Sequence, residues 1–205
     1  MSDAILSFFL WPIDTLYLYI KFLLGCLICL FPLIWNIIST KDKSKSIRKF
    51  DNFFKFLSAF PLGKSVFSGI VGFFAPYTAN IAAKVEELCL VKSTIIMVDK
   101  PWLRNPFKSI HAIALANLGE FSSGVLIVTN LQYTSHLRGI PIKINNDYYK
   151  KARGVVTAKS VCNIDFSKIT EECEIIAASE IFNDKDEMVA KTMVTWKLIP
   201  TKKLK

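Results

Sequence analysis

The stretch Asn105-Pro-Phe-Lys-Ser-Ile-His111-Ala-Ile-Ala-Leu-Ala-Asn117-Leu-Gly-Glu120-Phe-Ser-Ser-Gly124 decides how this chain is read. Pro106 and then Ser109 precede an apolar run of small residues, a helix start signal, and the run continues as a helix to about Thr129. Asn117 and Glu120 interrupt it. Carboxylates are almost never fully buried without a partner, so one set among small side chains of an apolar helix is a candidate site residue. At 100° per residue Ala112 and Ala116 lie near the face of Glu120, and Ser123 and Gly124 extend that face by a turn. Such a stripe admits a thin ligand or a neighbouring backbone, while Leu115, Leu118 and Val125 grip a core. His111 falls on the opposite side of the helix from Glu120, so the two do not form a dyad.

A helix N-terminus presents unpaired N–H groups and the positive end of the macrodipole, which suits a developing oxyanion. A carboxylate further along serves as general base or nucleophile if a carbonyl comes within reach. Against this stands the plainer role of a helix Glu, a solvated or ion-paired surface residue.

Outward from this helix the pattern alternates between periods. Ser44 to Ala59 places Ile47, Phe50, Phe53, Phe54 and Leu57 opposite Lys45, Lys49, Asp51 and Lys55, an amphipathic helix broken at Pro61-Leu-Gly63. Lys64 to Phe74 is a second apolar helix ended by Pro76, and the two are expected to lie on a membrane or to cap a substrate channel. Two strands follow, Ile81 to Leu90 and Lys92 to Lys100. After the helix come four more: Gly139 to Tyr148, Arg153 to Ile164, Glu174 to Asn183 and Met188 to Ile199. Turns are expected at Asn145–Asp147, Ser167–Glu171 and Asn183–Asp186.

A His opening a long helix, an acidic residue nine positions on and strands downstream resemble the hotdog-fold acyl-CoA thioesterases of the phenylacetate-pathway type. The string Asn-Pro-x-x-Ser-Ile-His-Ala-x-Ala-Leu-Ala-Asn-Leu-x-Glu, with Ala75-Pro76-Tyr77 upstream, is similar to a poorly characterised thioesterase-like branch of that superfamily, the DUF4442 type. The likeness runs from about Pro61 to Pro200. It implies an α+β hotdog, an antiparallel sheet wrapped around one long central helix, here preceded by an apolar and two amphipathic segments. Position by position, it implies Glu120 as the group that activates water or attacks the thioester carbonyl, and the Ala112 backbone N–H as the donor that polarises it. His111 is then a positioning residue, and Asn105, which opens the motif, joins the candidate catalytic set. Ala116, Asn117, Ser123 and Gly124 are the candidate substrate-binding residues. Related enzymes usually carry Gly-Gly after the His, where this chain has Ala112-Ile113. Hotdogs of this type generally pair their sheets, so a homodimer with shared sites is expected. The substrate implied is an acyl-CoA, with no metal and no cofactor beyond the coenzyme A of the substrate itself.

The remaining composition adds a membrane. The chain has 205 residues, 52% of them hydrophobic. The excess is concentrated in residues 16–38, where Lys21 is the one charge, long enough to cross a hydrocarbon core of about 30 Å. Asp3 and Asp14 precede this run and Lys41, Lys43, Lys45, Arg48 and Lys49 follow it, which places the folded domain on the cytosolic or mitochondrial-matrix side of a single N-terminal anchor. A helix lying on the membrane and a signal segment are the alternatives. The expected division is a membrane anchor over 1–43, an amphipathic linker over 44–75 and the hotdog over 76–200.

The net charge of +9 is shared between the juxtamembrane cluster, a C-terminal Lys202-Lys203-Lys205 tail, and Lys143, Lys150, Lys151, Arg153 and Lys159, which suit the phosphates of coenzyme A or a solvated strand face. No nucleic-acid motif interleaves these bases, so nucleic acid is not an expected partner. Five cysteines form no disulfide framework and no zinc pattern. Three functions remain: hydrolysis of an acyl-CoA at a membrane surface, a hotdog module that binds acyl chains without turnover, and, third, enoyl-thioester hydration, whose Asp/His pair is missing here.

Overall fold

The computed structural model describes residues 49–134 and 136–201. The expected membrane span at 16–38 and the first residues of the expected 44–59 helix lie outside them. The element order is helices α1 (Phe50–Ser58), α2 (Gly63–Phe74) and α3 (Pro76–Ala79), strands β1 (Lys84–Leu88) and β2 (Lys92–Val98), a long helix α4 (Ala112–Leu131), then strands β3 (Leu137–Tyr148), β4 (Val155–Val161), β5 (Cys173–Phe182) and β6 (Met188–Pro200). All six strands form one antiparallel sheet in the order β1-β2-β4-β5-β6-β3, and α4 packs against β2, β3, β4, β5 and β6. This is the wrapped-sheet hotdog architecture, mixed helix and sheet.

The strands alternate because only one face of the sheet meets the helix. Ile95 on β2 pairs with Ala158 on β4, which pairs with Ile181 on β5, which pairs with Ala190 on β6, and all four are fully buried. Helix α4 is apolar on most sides, as a helix wrapped by its sheet must be, and twelve of its residues are buried. By length and composition it would also pass for a membrane span; its burial makes it the core helix of this domain.

Close contact between helix and sheet comes from small side chains on both. Ser93, Ser160, Ser179 and Thr192 are register partners in one row across β2, β4, β5 and β6, each 2% exposed or less. Opposite them α4 presents Gly119, Ser122 and Ser123. A Cβ on Gly119 would collide with the Thr192 side chain, so this glycine fixes the approach of α4 to β6. The Ser93 hydroxyl donates to the Ser122 carbonyl at 2.7 Å, the Ser160 hydroxyl to Ser122 Oγ at 3.0 Å and the Thr192 hydroxyl to Asn146 Oδ1 at 2.7 Å, which leaves Ser179 as the one member of the row without a partner among the described residues.

The two N-terminal helices belong to the same core. Phe54 and Leu57 of α1 and Phe67 of α2 are buried, with the Phe54 and Phe67 rings edge-to-face at 5.2 Å. Between them Leu62 takes a left-handed φ of 61° and Gly63 lies against the Leu57 carbonyl, where no Cβ fits. Helix α2 also covers the β1 edge: Ser68 Oγ accepts the Val85 N–H at 2.9 Å.

Several expected boundaries move. The first strand is shorter than Ile81–Leu90, because residues 79–82 form a turn that puts Ala82 at φ 46°. Asn145–Asp147 is not a turn but the extended end of β3, paired with Met193, Thr192 and Lys191 of β6. Polar residues sit there because β3 is an edge strand with solvent on both faces. The Asn183–Asp186 hairpin forms, with Asp186 at φ 58° and Asn183 Oδ1 accepting the Lys185 and Glu187 N–H groups. Cys89 and Cys162, expected in strands, fall just past β1 and β4; with Cys173 at the start of β5 they are free thiols.

Candidate active site

Helix α4 is capped by His111, the residue that opens it in the sequence reading. The imidazole Nδ1 accepts the Ile113 N–H at 3.1 Å, which places the proton of the neutral ring on Nε2, and the ring is exposed. Ser109 is buried and tied into the loop before the helix: Asn105 Oδ1 accepts from the Phe107 N–H, the Ser109 N–H and the Ser109 hydroxyl. Asn105 therefore shapes the loop that delivers the helix start. The Ala112 N–H, first of the helix, donates to no acceptor among the described residues. Tyr148 at the end of β3 donates its phenol to the Ala112 carbonyl at 3.0 Å.

Glu120 sits two turns further along. The residue is half-buried, and its carboxylate has neither a hydrogen bond nor an ion pair among the described residues. Burial alone pushes its carboxyl above the ordinary carboxylate range. Its Oε1 lies 3.2 Å from the position a Cβ on Gly124 would take, and Trp196 Cζ2 lies 3.6 Å from that same point. The Trp196 ring reaches on to β3, with Cε3 3.4 Å from the corresponding point on Gly139. The carboxylate thus rests in an apolar corner between the helix and the β6–β3 side of the sheet. Trp196 is 5% exposed and its indole N–H has no partner among the described residues. Sequence reasoning missed this residue, since nothing in the spacing of β6 connects it to Glu120.

The other candidates separate. Ala116 and Asn117 are half-buried, and Asn117 lines a cleft of about 200 Å³ with Tyr77, Trp102, His111 and Ile113. Gly124 is buried beneath Glu120. Ser123 does not lie on the ligand-facing stripe: it is fully buried and its hydroxyl donates to the Gly119 and Glu120 carbonyls of its own helix. A second cleft of about 270 Å³ on the other flank of the helix start is lined by Asn105, Ala112, Tyr148, Lys150 and Lys151. A third cavity of about 410 Å³ lies beside α2 and is lined in part by Phe121, the neighbour of Glu120. Of the remaining basic residues Lys159 pairs with Asp186, and Arg153 Nε donates to the Lys108 carbonyl.

Ala112 and Glu120 are eight residues apart, which on one helix is about 12 Å of axial rise. A carbonyl held by the Ala112 N–H is therefore out of reach of the same chain's Glu120. The two groups can address one carbonyl only if they come from two copies of the chain.

One long helix wrapped by a six-stranded antiparallel sheet places the chain in the hotdog class of folds. Within it the chain belongs to the family described as a domain of unknown function (DUF4442), whose model matches residues 63–198. Solved structures share the fold. A structural-genomics protein designated APC5556 is 24% identical, with TM-score 0.62 over 74% of this chain and 99% of its own. PA5026 from Pseudomonas aeruginosa, called a probable thioesterase, is 17% identical, with TM-score 0.54 over 62% and 88%. The E. coli PaaI protein of the phenylacetic acid degradation operon is 13% identical, with TM-score 0.51 over 60% and 84%. No curated protein matches the chain.

Proposed function

We propose that this protein hydrolyses an acyl-CoA thioester at a membrane surface, with Glu120 as general base or nucleophile and the Ala112 N–H as oxyanion donor. The observation that carries the reading is the unpartnered, half-buried Glu120 carboxylate beside Gly124, whose pKa burial raises. A solvated surface Glu would show neither feature. The thioesterase name borne by structural neighbours supports the reaction class. The cavity beside α2 offers room for an acyl chain, and Lys151 at the second cleft, beside Lys150 which Glu187 holds at 2.6 Å, suits a coenzyme A phosphate.

The 12 Å offset calls for a homodimer, with Glu120 of one copy facing Ala112 of the other. The β3 edge is where a second copy would join. It is 12 residues long, and Ile140, Ile142 and Ile144 along it are about half exposed. The N-terminal apolar run would anchor the dimer with its domain facing the cytosol or matrix. The second reading, a module that binds acyl-CoA without turnover, is favoured by Ala112-Ile113 standing where related enzymes carry Gly-Gly.

Thiol release from acyl-CoAs of graded chain length separates the two readings, for the native protein and for Glu120→Gln. Turnover abolished in the variant is the expected result. Acyl-CoA binding with no turnover in either protein assigns the module instead.

A further inference from the structure

Four large side chains near the start of α4 are turned into solvent: Phe73 and Phe74, each 79% exposed, Tyr77 at 70% and Trp102 at 68%. They fall in two pairs that lie three residues apart in the chain. The Phe73 and Phe74 rings stack edge-to-face at 5.6 Å, and Tyr77 follows three residues later in α3. Tyr77 and Trp102 line the same cleft, and the Trp102 indole N–H donates to the Asn80 carbonyl at 3.2 Å, which holds the ring outward. Ile113, also exposed, lines that cleft as well.

Single exposed apolar residues are ordinary, but a group of exposed aromatic rings marks a surface that meets something. Its charge decides what. Lys100 places its ammonium 5.2 Å over the Trp102 ring, and Arg104 and Lys108 share the adjoining loop. The acid of this rim, Asp99, is neutralised by Arg104 and its side chain is 6% exposed, which leaves the ammonium of Lys100 as the net charge beside the rings. Protein interfaces are depleted in Lys, whereas rings with a polar tip beside basic side chains match the boundary of an anionic bilayer.

We propose that the Phe73–Phe74–Tyr77–Trp102 face docks on an anionic lipid surface, with its rings at the headgroup boundary and Lys100 at the lipid phosphates. The inference rests on the membrane part of the function proposed above and specifies which face meets the lipid. The cleft that holds His111 and Asn117 then opens toward the bilayer, so an amphiphilic acyl substrate enters from the lipid side.

The test uses the full chain in vesicles with brominated acyl chains, with and without phosphatidylserine, comparing native protein with Trp102→Phe. The difference in emission between the two reports Trp102. The expected result is a blue-shifted Trp102 signal quenched by the brominated lipid, more strongly with phosphatidylserine, and lost when Phe73→Ser and Phe74→Ser are combined. Those positions are exposed, so the double variant keeps the core. Trp102 emission that brominated lipid leaves unchanged overturns the proposal. So does shielding from acrylamide that grows with protein concentration in detergent alone, which assigns the face to a second copy. Turnover of a short acyl-CoA is followed in the same vesicles. Turnover without quenching removes this face and leaves the thioesterase reading standing; quenching without turnover does the reverse.

Discussion

Glu120 Oε1 lies 3.2 Å from the point that a Cβ on Gly124 would occupy, so the carboxylate is folded back along its own helix over a residue with no side chain. The contact is tight enough that an added methyl moves the oxygen by a few tenths of an ångström. Gly124→Ala therefore separates stability from function. Alanine gains about 1 kcal/mol of helix propensity over glycine. A displaced carboxylate loses rate, by about tenfold for a shift of this size. The expected outcome is an unchanged or raised melting temperature together with a lower kcat for thiol release.

Glu120→Gln has a thermodynamic signature as well as a kinetic one. Burial raises the folded-state pKa of this carboxyl, so the folded protein keeps the proton at pH values where the unfolded chain has released it. The group favours folding below its ordinary titration range, and that contribution is lost as pH rises through the raised value. Above both values the buried charge is a standing penalty. The glutamine variant is then more stable than the native protein near neutral pH, and the difference shrinks toward acid pH. Its turnover falls by about 10²–10⁴, the usual contribution of general acid–base catalysis. Denaturant titrations at acid and neutral pH check the first outcome. In the native protein the acid limb of kcat/KM lies above that of an ordinary Glu. A variant less stable at neutral pH would mean that Glu120 is ion-paired in solution.

The strands were legible because they bury one face each, and burial writes a period into sequence; helix α4 was legible as a long apolar run behind a start signal, since it is buried on most sides. The Asn183–Asp186 hairpin was legible because its turn needs Asn and a positive φ at Asp186. Asn145–Asp147 misled for the same reason: Asn and Asp favour turns, yet they also suit an edge strand wet on both sides. At the site, Glu120 stood out as a charge in an apolar helix, but its surroundings come from residue pairs far apart in the chain. Trp196 of β6 and the Glu120 carboxylate flank the same point beside Gly124, and Thr192 meets Gly119 from the same strand. The hydroxyl row was equally hidden. Ser93, Ser160, Ser179 and Thr192 each look like ordinary polar strand residues until the register aligns them.

That row makes Ser122 a structural hub. Its Oγ accepts from Ser160 at 3.0 Å and lies 3.0 Å from Ser93 Oγ, in a region with no access to water. Ser122→Ala leaves the Ser160 hydroxyl without a partner, which costs about 1–3 kcal/mol for a buried polar group. The denaturation midpoint should fall accordingly with an unchanged slope. Ser122→Ala combined with Ser160→Ala removes both partners and should recover part of the loss. A combined effect equal to the sum of the two single changes would show that the hydroxyls are not coupled.

The Ala112 N–H can be deleted without disturbing the helix that carries it. His111 precedes it in an extended conformation, φ −63° and ψ 140°, which is the backbone a following proline demands. Position 112 is the first residue of α4, where proline is favoured, and its N–H donates to no protein acceptor among the described residues. Ala112→Pro should therefore melt like the native protein. If this N–H holds the oxyanion, kcat/KM falls by about 10²–10³, the cost of removing one such donor. Ala112→Gly is the matched control, since it keeps the N–H and restores the glycine of related enzymes. Full activity in Ala112→Pro would move the oxyanion donor elsewhere and remove the case for pairing Ala112 of one copy with Glu120 of another.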